Sequence, residues 1–254
     1  VTDLQKQVFD TIVTDALAMP LTTIEGLNPD KLRLVFLDID GVLISTKSAL
    51  VAGGWGRTLV DYTHYDGGWF NSPQRKEIKE PYLRYPESID KHSVWLLNRL
   101  LEATNSHIVL SSTWRLGLDL HQIKLVLGAM GINTERVIGR TMAGDTNRGG
   151  EIFNFLQGMG EKRLASGKDW FVNQGWLDTR LEGVEMNVES YVIIDDVVQF
   201  TEEQKAKHFV KTDEHEGLSL GDVLLAGAIL TGKDFDVPQL QNGEHYEGKL
   251  IVYV

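Results

Sequence analysis

Leu32-Arg33-Leu34-Val35-Phe36-Leu37-Asp38-Ile39-Asp40-Gly41-Val42-Leu43 is the stretch whose reading decides the fold. Its first eight residues form a short apolar run of the kind found in a parallel strand covered on both faces. The run breaks on an acidic turn, Asp38-Ile39-Asp40-Gly41. Ligands of open parallel sheets bind just beyond the carboxyl ends of the strands, so two aspartates there are candidates for chemistry.

The same pattern recurs along the chain. His107 to Leu110 is a second buried strand that runs into Ser111-Ser112-Thr113-Trp114-Arg115. Arg136 to Ile138 reads as a short third strand. Tyr191 to Ile194 is a further strand and ends on Asp195-Asp196, and His208 to Lys211 reads as an edge strand. Helical spacing separates them: Val94, Leu97, Leu100 and Leu101 within 89–104, then 118–130, then Asp222 to Leu230. Asp145-Thr146-Asn147-Arg148 supplies capping residues for a helix reaching about Leu156. Residues 4–19 read as an amphipathic helix ending before Pro20. Strands alternating with helices predict an α/β fold: a Rossmann-like parallel sheet flanked by helices, with right-handed crossovers.

Residues 45–91 break the alternation. They carry Trp55, Tyr62, Tyr65, Trp69, Phe70, Tyr82 and Tyr85 among glycines and show little periodicity. The expected organisation is therefore a core of residues 1–44 and 92–254 with 45–91 inserted as a cap segment. Its aromatics either stack on a planar substrate or form the small core of the cap. Its cations, Arg57 among them, suit an anionic ester.

The 254-residue chain carries a formal net charge of −11, so it repels nucleic acid on average, and any such contact needs a local basic patch. It has no cysteine, which excludes disulfides, thiolate metal sites and a cysteine nucleophile. No apolar run approaches the roughly 20 residues of a membrane span. No signal-peptide pattern opens the chain, and together with the missing cysteines this fits a cytoplasmic protein. The apolar end, Leu250 to Val254, hints at a piece of something longer.

Taken singly, an aspartate or serine after a strand is a turn former or a helix cap. Three strand ends carrying Asp38 and Asp40, Ser111, and Asp195 and Asp196 form a set suited to phosphoryl transfer. Magnesium takes hard oxygen ligands and offsets the repulsion between carboxylates and a phosphate dianion. One carboxylate can then attack phosphorus, and a second can protonate the leaving oxygen and later activate water. A hydroxyl and a cation steady the equatorial oxygens.

FLDIDGVL (36–43), IVLSSTWR (108–115) and YVIIDD (191–196) resemble the first, second and fourth motifs of the haloacid dehalogenase-like (HAD) superfamily. TNRGGEIFNFL, YVIIDD and HFVKTDEHEGLS are together similar to a HAD branch associated with nucleic-acid repair and phage-type proteins. The resemblance implies a HAD phosphatase that forms an aspartyl-phosphate. It makes Asp38 the nucleophile and Asp40 the general acid/base. Ser111 would bind the phosphoryl group; Ser112 beside it, and Arg57 and Trp69 from the reading of the inserted segment, are further candidate substrate contacts. Mg2+ would be held by Asp38, Asp40 through its carbonyl, Asp195 and Asp196. The third motif normally holds a lysine. Here the best-placed cation is Arg148, with Lys162 and Lys168 as rivals, and a guanidinium can grip phosphate bidentately.

The substrate implied is a phosphomonoester, on a phosphorylated protein side chain such as phosphotyrosine or on a nucleotide or nucleic-acid end. Two other classes compete. A metal-dependent glycosyltransferase would use Asp38-Ile39-Asp40 for a sugar nucleotide, and a catalytically inactive module would only bind phosphate.

Overall fold

The protein is described from a computed structural model, which covers residues 24, 26–51, 88–142, 144, 147–159, 175–237 and 240. Strands β1 (Leu32–Leu37), β2 (Ser106–Leu110), β3 (Val137–Arg140), β4 (Val188–Asp195) and β5 (Phe209–Lys211) form one sheet in the order β3-β2-β1-β4-β5. Every pairing is parallel. The chain builds outward from β1 in one direction, then returns to its other side with β4. The switch point, where neighbouring crossovers diverge, therefore lies between β1 and β4.

Helices α1 (Thr46–Val51), α2 (Lys91–Thr104), α3 (Leu120–Ala129), α4 (Arg148–Gln157), α5 (Glu202–Lys207) and α6 (Leu220–Thr231) accompany the strands. Their starts follow local chemistry. The Asp90 carboxylate accepts from the His92 amide at 2.8 Å, and Asp119 with Gln122 forms a reciprocal capping box. Such a cap contributes about 1 kcal/mol.

The apolar runs are continuous because both sheet faces are covered. Val35, Leu37, Ile108, Leu110, Val192 and Ile194 face one core together with α2, α3 and α6. Leu34, Phe36, Val109 and Ile193 face a second core with Ile152 and Phe155 of α4. There the Phe36 and Phe155 rings meet edge to face, centroids 5.7 Å apart. Full burial of each such side chain is worth about 1.5–3 kcal/mol.

Several expected boundaries shift. β1 stops at Leu37 rather than Ile39, because the Ile39 carbonyl closes a turn with the amides of Val42, Leu43 and Ile44. β3 starts one residue later and runs to Arg140. Arg136 instead ends a 3-10 turn, with its guanidinium 2.6 Å from Asn105 Oδ1. α6 starts at Leu220, because Asp222 is the third residue of a capping box with Ser219 rather than the first of the helix. α4 is capped by Asn147, whose Oδ1 accepts from the Gly150 amide at 2.9 Å. The expected helix at 4–19, most of the inserted segment (52–87), Lys162, Lys168 and the apolar end at 250–254 lie outside the described residues.

Candidate active site

The strand registers build the site. Leu37 pairs with Leu110 and Ile194, and Leu110 with Arg140. The next row is therefore Thr141, Ser111, Asp38 and Asp195, side by side across four strands. Backbone bonds hold it: Thr141 N to Leu110 O at 2.9 Å, Ser111 N to Leu37 O at 2.9 Å, and Asp38 N to Ile194 O at 3.0 Å. Period-two alternation puts Asp38 on the face of Leu34 and Phe36, which is the face α4 covers. The row thus lies beneath the first turn of α4, at the switch point.

One carboxylate oxygen each from Asp38, Asp195 and Asp196 lies within 4.8 Å of the other two. Asp38 and Asp195 are buried, and Asp196 is partly so. Arg148, the first residue of α4, reaches down onto this group. Its Nη1 is 3.2 Å from Asp38 Oδ2 and also pairs with Asp195 Oδ2. Asp195 Oδ1 accepts from the Val197 amide at 2.9 Å. Among the described residues, Asp38 Oδ1, Ser111 Oγ and Thr141 Oγ1 are buried with no hydrogen-bond partner. Buried oxygens without partners are costly, so three along one rim mark a place prepared for a ligand.

The acidic turn after β1 is shaped by Gly41, at φ +75°. Its amide donates to Ile44 O at 2.8 Å, and its carbonyl accepts from Thr212 Oγ1 at 3.0 Å. A Cβ at Gly41 would meet Asp196, with Oδ2 at 2.6 Å and Cβ at 2.7 Å. The absence of a side chain at Gly41 therefore makes room for a site carboxylate. The Asp40 carboxylate does not join the other three. It accepts from Trp114 Nε1 at 2.9 Å, on the approach to the site.

A family model described as the HAD domain in Swiss Army Knife RNA repair proteins matches residues 34–223, most of the chain. The chain belongs to that family. No curated protein and no solved structure matches it. Membership points this HAD domain toward phosphatase-type hydrolase chemistry on a phosphate-containing substrate. The donor set fits a divalent cation: three carboxylates offering hard oxygens, one of them with an unpartnered Oδ1. Among the described residues, no helix is long and apolar enough to cross a membrane.

Electrostatics in the HAD domain follow from packing carboxylates together. Burial, then the neighbouring Asp38 charge, raises the Asp40 pKa to about 6 against the pull of the Trp114 bond. The same two causes, opposed by Arg148, push Asp195 to about 7. Asp196 is raised by burial and by Asp38. Burial works against the Arg148 charge, but the carboxylates of Asp38 and Asp195 outweigh it and hold the guanidinium protonated.

The structure brings Asp38, Ser111, Arg148, Asp195 and Asp196 to one rim, with Asp40 beside it. Ser112 is placed differently: it is fully buried, and its Oγ caps the turn at Thr113–Leu116 through the Trp114 amide at 3.4 Å. Arg57 and Trp69 lie outside the described residues. Sequence reasoning missed four residues. Trp114 grips Asp40. Thr141 closes the row of strand ends. Buried Arg115 pairs with buried Glu151 of α4 across the floor of the site. Arg115 and Glu151 stand inside the motif-like segments already quoted, but no spacing rule links an arginine after β2 to a glutamate on α4.

Proposed function

We propose that the chain is a magnesium-dependent phosphomonoesterase that works through an aspartyl-phosphate on Asp38, with nucleic-acid ends as its substrate. The observation that carries this reading is the convergence of Asp38, Asp195 and Asp196 under Arg148, with Asp38 Oδ1 and Ser111 Oγ left without protein partners.

Asp38, Asp195 and Asp196 would hold Mg2+, along with the Asp40 carbonyl as the family resemblance implies. When bound, the ion offsets carboxylate charge and draws density from a phosphoryl oxygen. Asp38 Oδ1 attacks phosphorus, forming the P–O bond to Asp38 as the bond to the leaving oxygen breaks. Asp40, protonated up to about pH 6 by its setting, gives that oxygen its proton. Trp114 keeps the Asp40 carboxyl in place. The Asp40 carboxylate then takes a proton from water, whose oxygen attacks the same phosphorus and frees Asp38 and inorganic phosphate. Ser111 Oγ donates to a phosphoryl oxygen, and Arg148 neutralises the charge that grows on the equatorial oxygens.

The RNA-repair description of the matching family favours a nucleic-acid end over a phosphorylated protein side chain. A glycosyltransferase would leave Asp195 and Asp196 without a role, although they sit beside Asp38. The test is phosphate release from a 3′- or 5′-phosphorylated oligoribonucleotide, a mononucleotide and a phosphotyrosine peptide, each with magnesium and with EDTA. The expected result is magnesium-dependent release, fastest from the oligoribonucleotide, and none from Asp38→Asn. Full activity in Asp38→Asn would remove Asp38 as the nucleophile, and preference for the peptide would overturn the substrate class.

A further inference from the structure

Arg115 and Glu151 form a buried ion pair behind the row of strand ends, and it reaches that row through the backbone carbonyl of Ser111. Arg115 Nη2 pairs with Glu151 Oε2. Arg115 Nη1 donates to two carbonyls, Ser111 O at 2.8 Å and Ser112 O at 2.7 Å. Glu151 Oε1 accepts from the Gly144 amide at 3.2 Å. Both side chains are almost wholly buried, at 5% and 8% exposure. A buried pair of charges is weak evidence of stabilisation, because desolvation opposes the attraction. Its geometry explains it better. Glu151 stands three residues after Arg148, so it lies on the same face of α4 and one turn in. Arg115 grips the backbone that presents Ser111. The pair therefore ties the first turn of α4 to the loop after β2.

We infer that the Arg115–Glu151 pair is a positioning device that fixes Arg148 over Asp38 and Asp195 and sets Ser111 in line with them. The inference rests on the phosphatase reading for its kinetic consequence, but not for its structural one. The two guanidiniums divide the work. Arg148 faces the carboxylates, while Arg115 stays behind and holds Arg148 through the helix. Both are needed because α4 meets the row only by its first turn. On the β4 side the same turn is held at Gly149, whose amide donates to Gln199 O at 3.1 Å and whose carbonyl accepts from Gln204 Nε2 at 3.0 Å. Cutting the Arg115–Glu151 tie releases the β2 side, letting the turn tilt by the ångström or so that costs about 10²-fold in a phosphoryl-transfer site.

The test uses Glu151→Gln, which keeps length but has one acceptor oxygen and so cannot accept from both Arg115 and the Gly144 amide, with Arg115→Lys as a second variant and Arg148→Ala as the background. Two readouts are taken on the full chain. One is kcat and KM for p-nitrophenyl phosphate with magnesium. The other is the side-chain NMR signal of the Arg148 guanidinium, assigned by its loss in Arg148→Ala. We expect Glu151→Gln to lower kcat by about 10²-fold with KM changed little, and to remove the exchange-protected Arg148 signal. In the Arg148→Ala background the same substitution should cost less than about threefold, since it acts through Arg148. Additive losses, or an intact Arg148 signal in folded Glu151→Gln and Arg115→Lys, would overturn the inference. A wild-type chain that hydrolyses no phosphomonoester, yet loses the Arg148 signal in both variants, would refute the phosphatase reading and leave the positioning role standing.

Discussion

Substituting Gly41 by alanine should disable the site by displacing Asp196, and the structure allows the two costs to be separated. The first cost is conformational. Gly41 holds φ +75°, where a Cβ costs about 1–2 kcal/mol. In a chain of this size that loss lowers the melting temperature by about 2–8 °C. The second cost is steric. The new Cβ would stand 2.7 Å from Asp196 Cβ, against the roughly 3.5–4.0 Å at which two carbons sit comfortably. Because the clash reaches Asp196 Cβ as well as the carboxylate tip, rotating the side chain does not relieve it. The backbone at 195–196 must move by about 1 Å, which is enough to cost about 10²-fold in a site that needs three carboxylates together.

Gly232 supplies the control. It has φ +67° and nothing within 4 Å of an added Cβ, so Gly232→Ala carries the backbone cost alone. Thermal unfolding should show both variants destabilised, Gly41→Ala the more because it adds the clash to the backbone cost that Gly232→Ala carries alone. In magnesium titrations of phosphate release, only Gly41→Ala should need about 10²-fold more magnesium or lose turnover by that factor. Gly41→Asn tests the same logic, since asparagine tolerates a left-handed backbone but keeps the Cβ. It should recover the backbone part of the lost stability and not activity. If Gly41→Ala keeps its magnesium requirement and turnover, the role assigned to Asp196 is wrong.

Trp114→Phe removes the hydrogen bond that lowers the Asp40 pKa, so the pKa should rise above its present value of about 6. A pH–rate profile should then show the limb that reports loss of the Asp40 proton moving to higher pH; a limb that stays put would dissociate Asp40 from the acid role. Asp178 is held well below the usual carboxylate range: burial would raise it, but Arg180 and Lys124 outweigh that. A depressed pKa stabilises above about pH 4 and is lost as pH falls toward the folded value. Asp178→Asn should therefore cost about 2–4 kcal/mol at pH 7 by stranding Lys124 and leaving Arg180 with Glu135 alone, and about 1 kcal/mol less at pH 3, in urea unfolding. A difference independent of pH would contradict the pairing.

The sequence made the strands and their acidic tips legible for one reason. Burial on both faces turns a parallel strand into an unbroken apolar run, so the first polar residue after it stands out. Asp38, Ser111 and Asp195 were found that way. β3 was read short because Gly139 interrupts its run, and that glycine is required: a Cβ there would stand 2.7 Å from the Trp176 carbonyl. Thr141, two residues on, was lost with it. Trp114 and Asp40 are 74 residues apart, and Arg115 and Glu151 are 36 apart. Contacts at such separations leave no periodic trace, because the sheet order brings the partners together rather than any local rule. Arg148 was legible only through the cap beside it and the absence of a better-placed cation.

A physical thread joins the pKa shifts at the site. Asp40, Asp195 and Asp196 are all raised, and Asp38 is a cause in each case. Arg148 is paired directly with Asp38 and Asp195, and its single charge faces at least three carboxylates, while Arg115 is already paired with Glu151. So crowded a set has two ways to settle: it takes up protons, or it takes up a cation. Proton uptake would place a proton on Asp195 up to about pH 7 and remove a ligand. A divalent ion would instead restore balance and keep Asp195 as a ligand beside the attacking Asp38. Magnesium and protons therefore compete for Asp195, and the apparent magnesium affinity should weaken as pH falls through about 7. Magnesium titrations of phosphate release at pH 6 and pH 8 decide this. A half-saturating concentration at pH 6 no higher than at pH 8 would mean that Asp195 does not hold the ion.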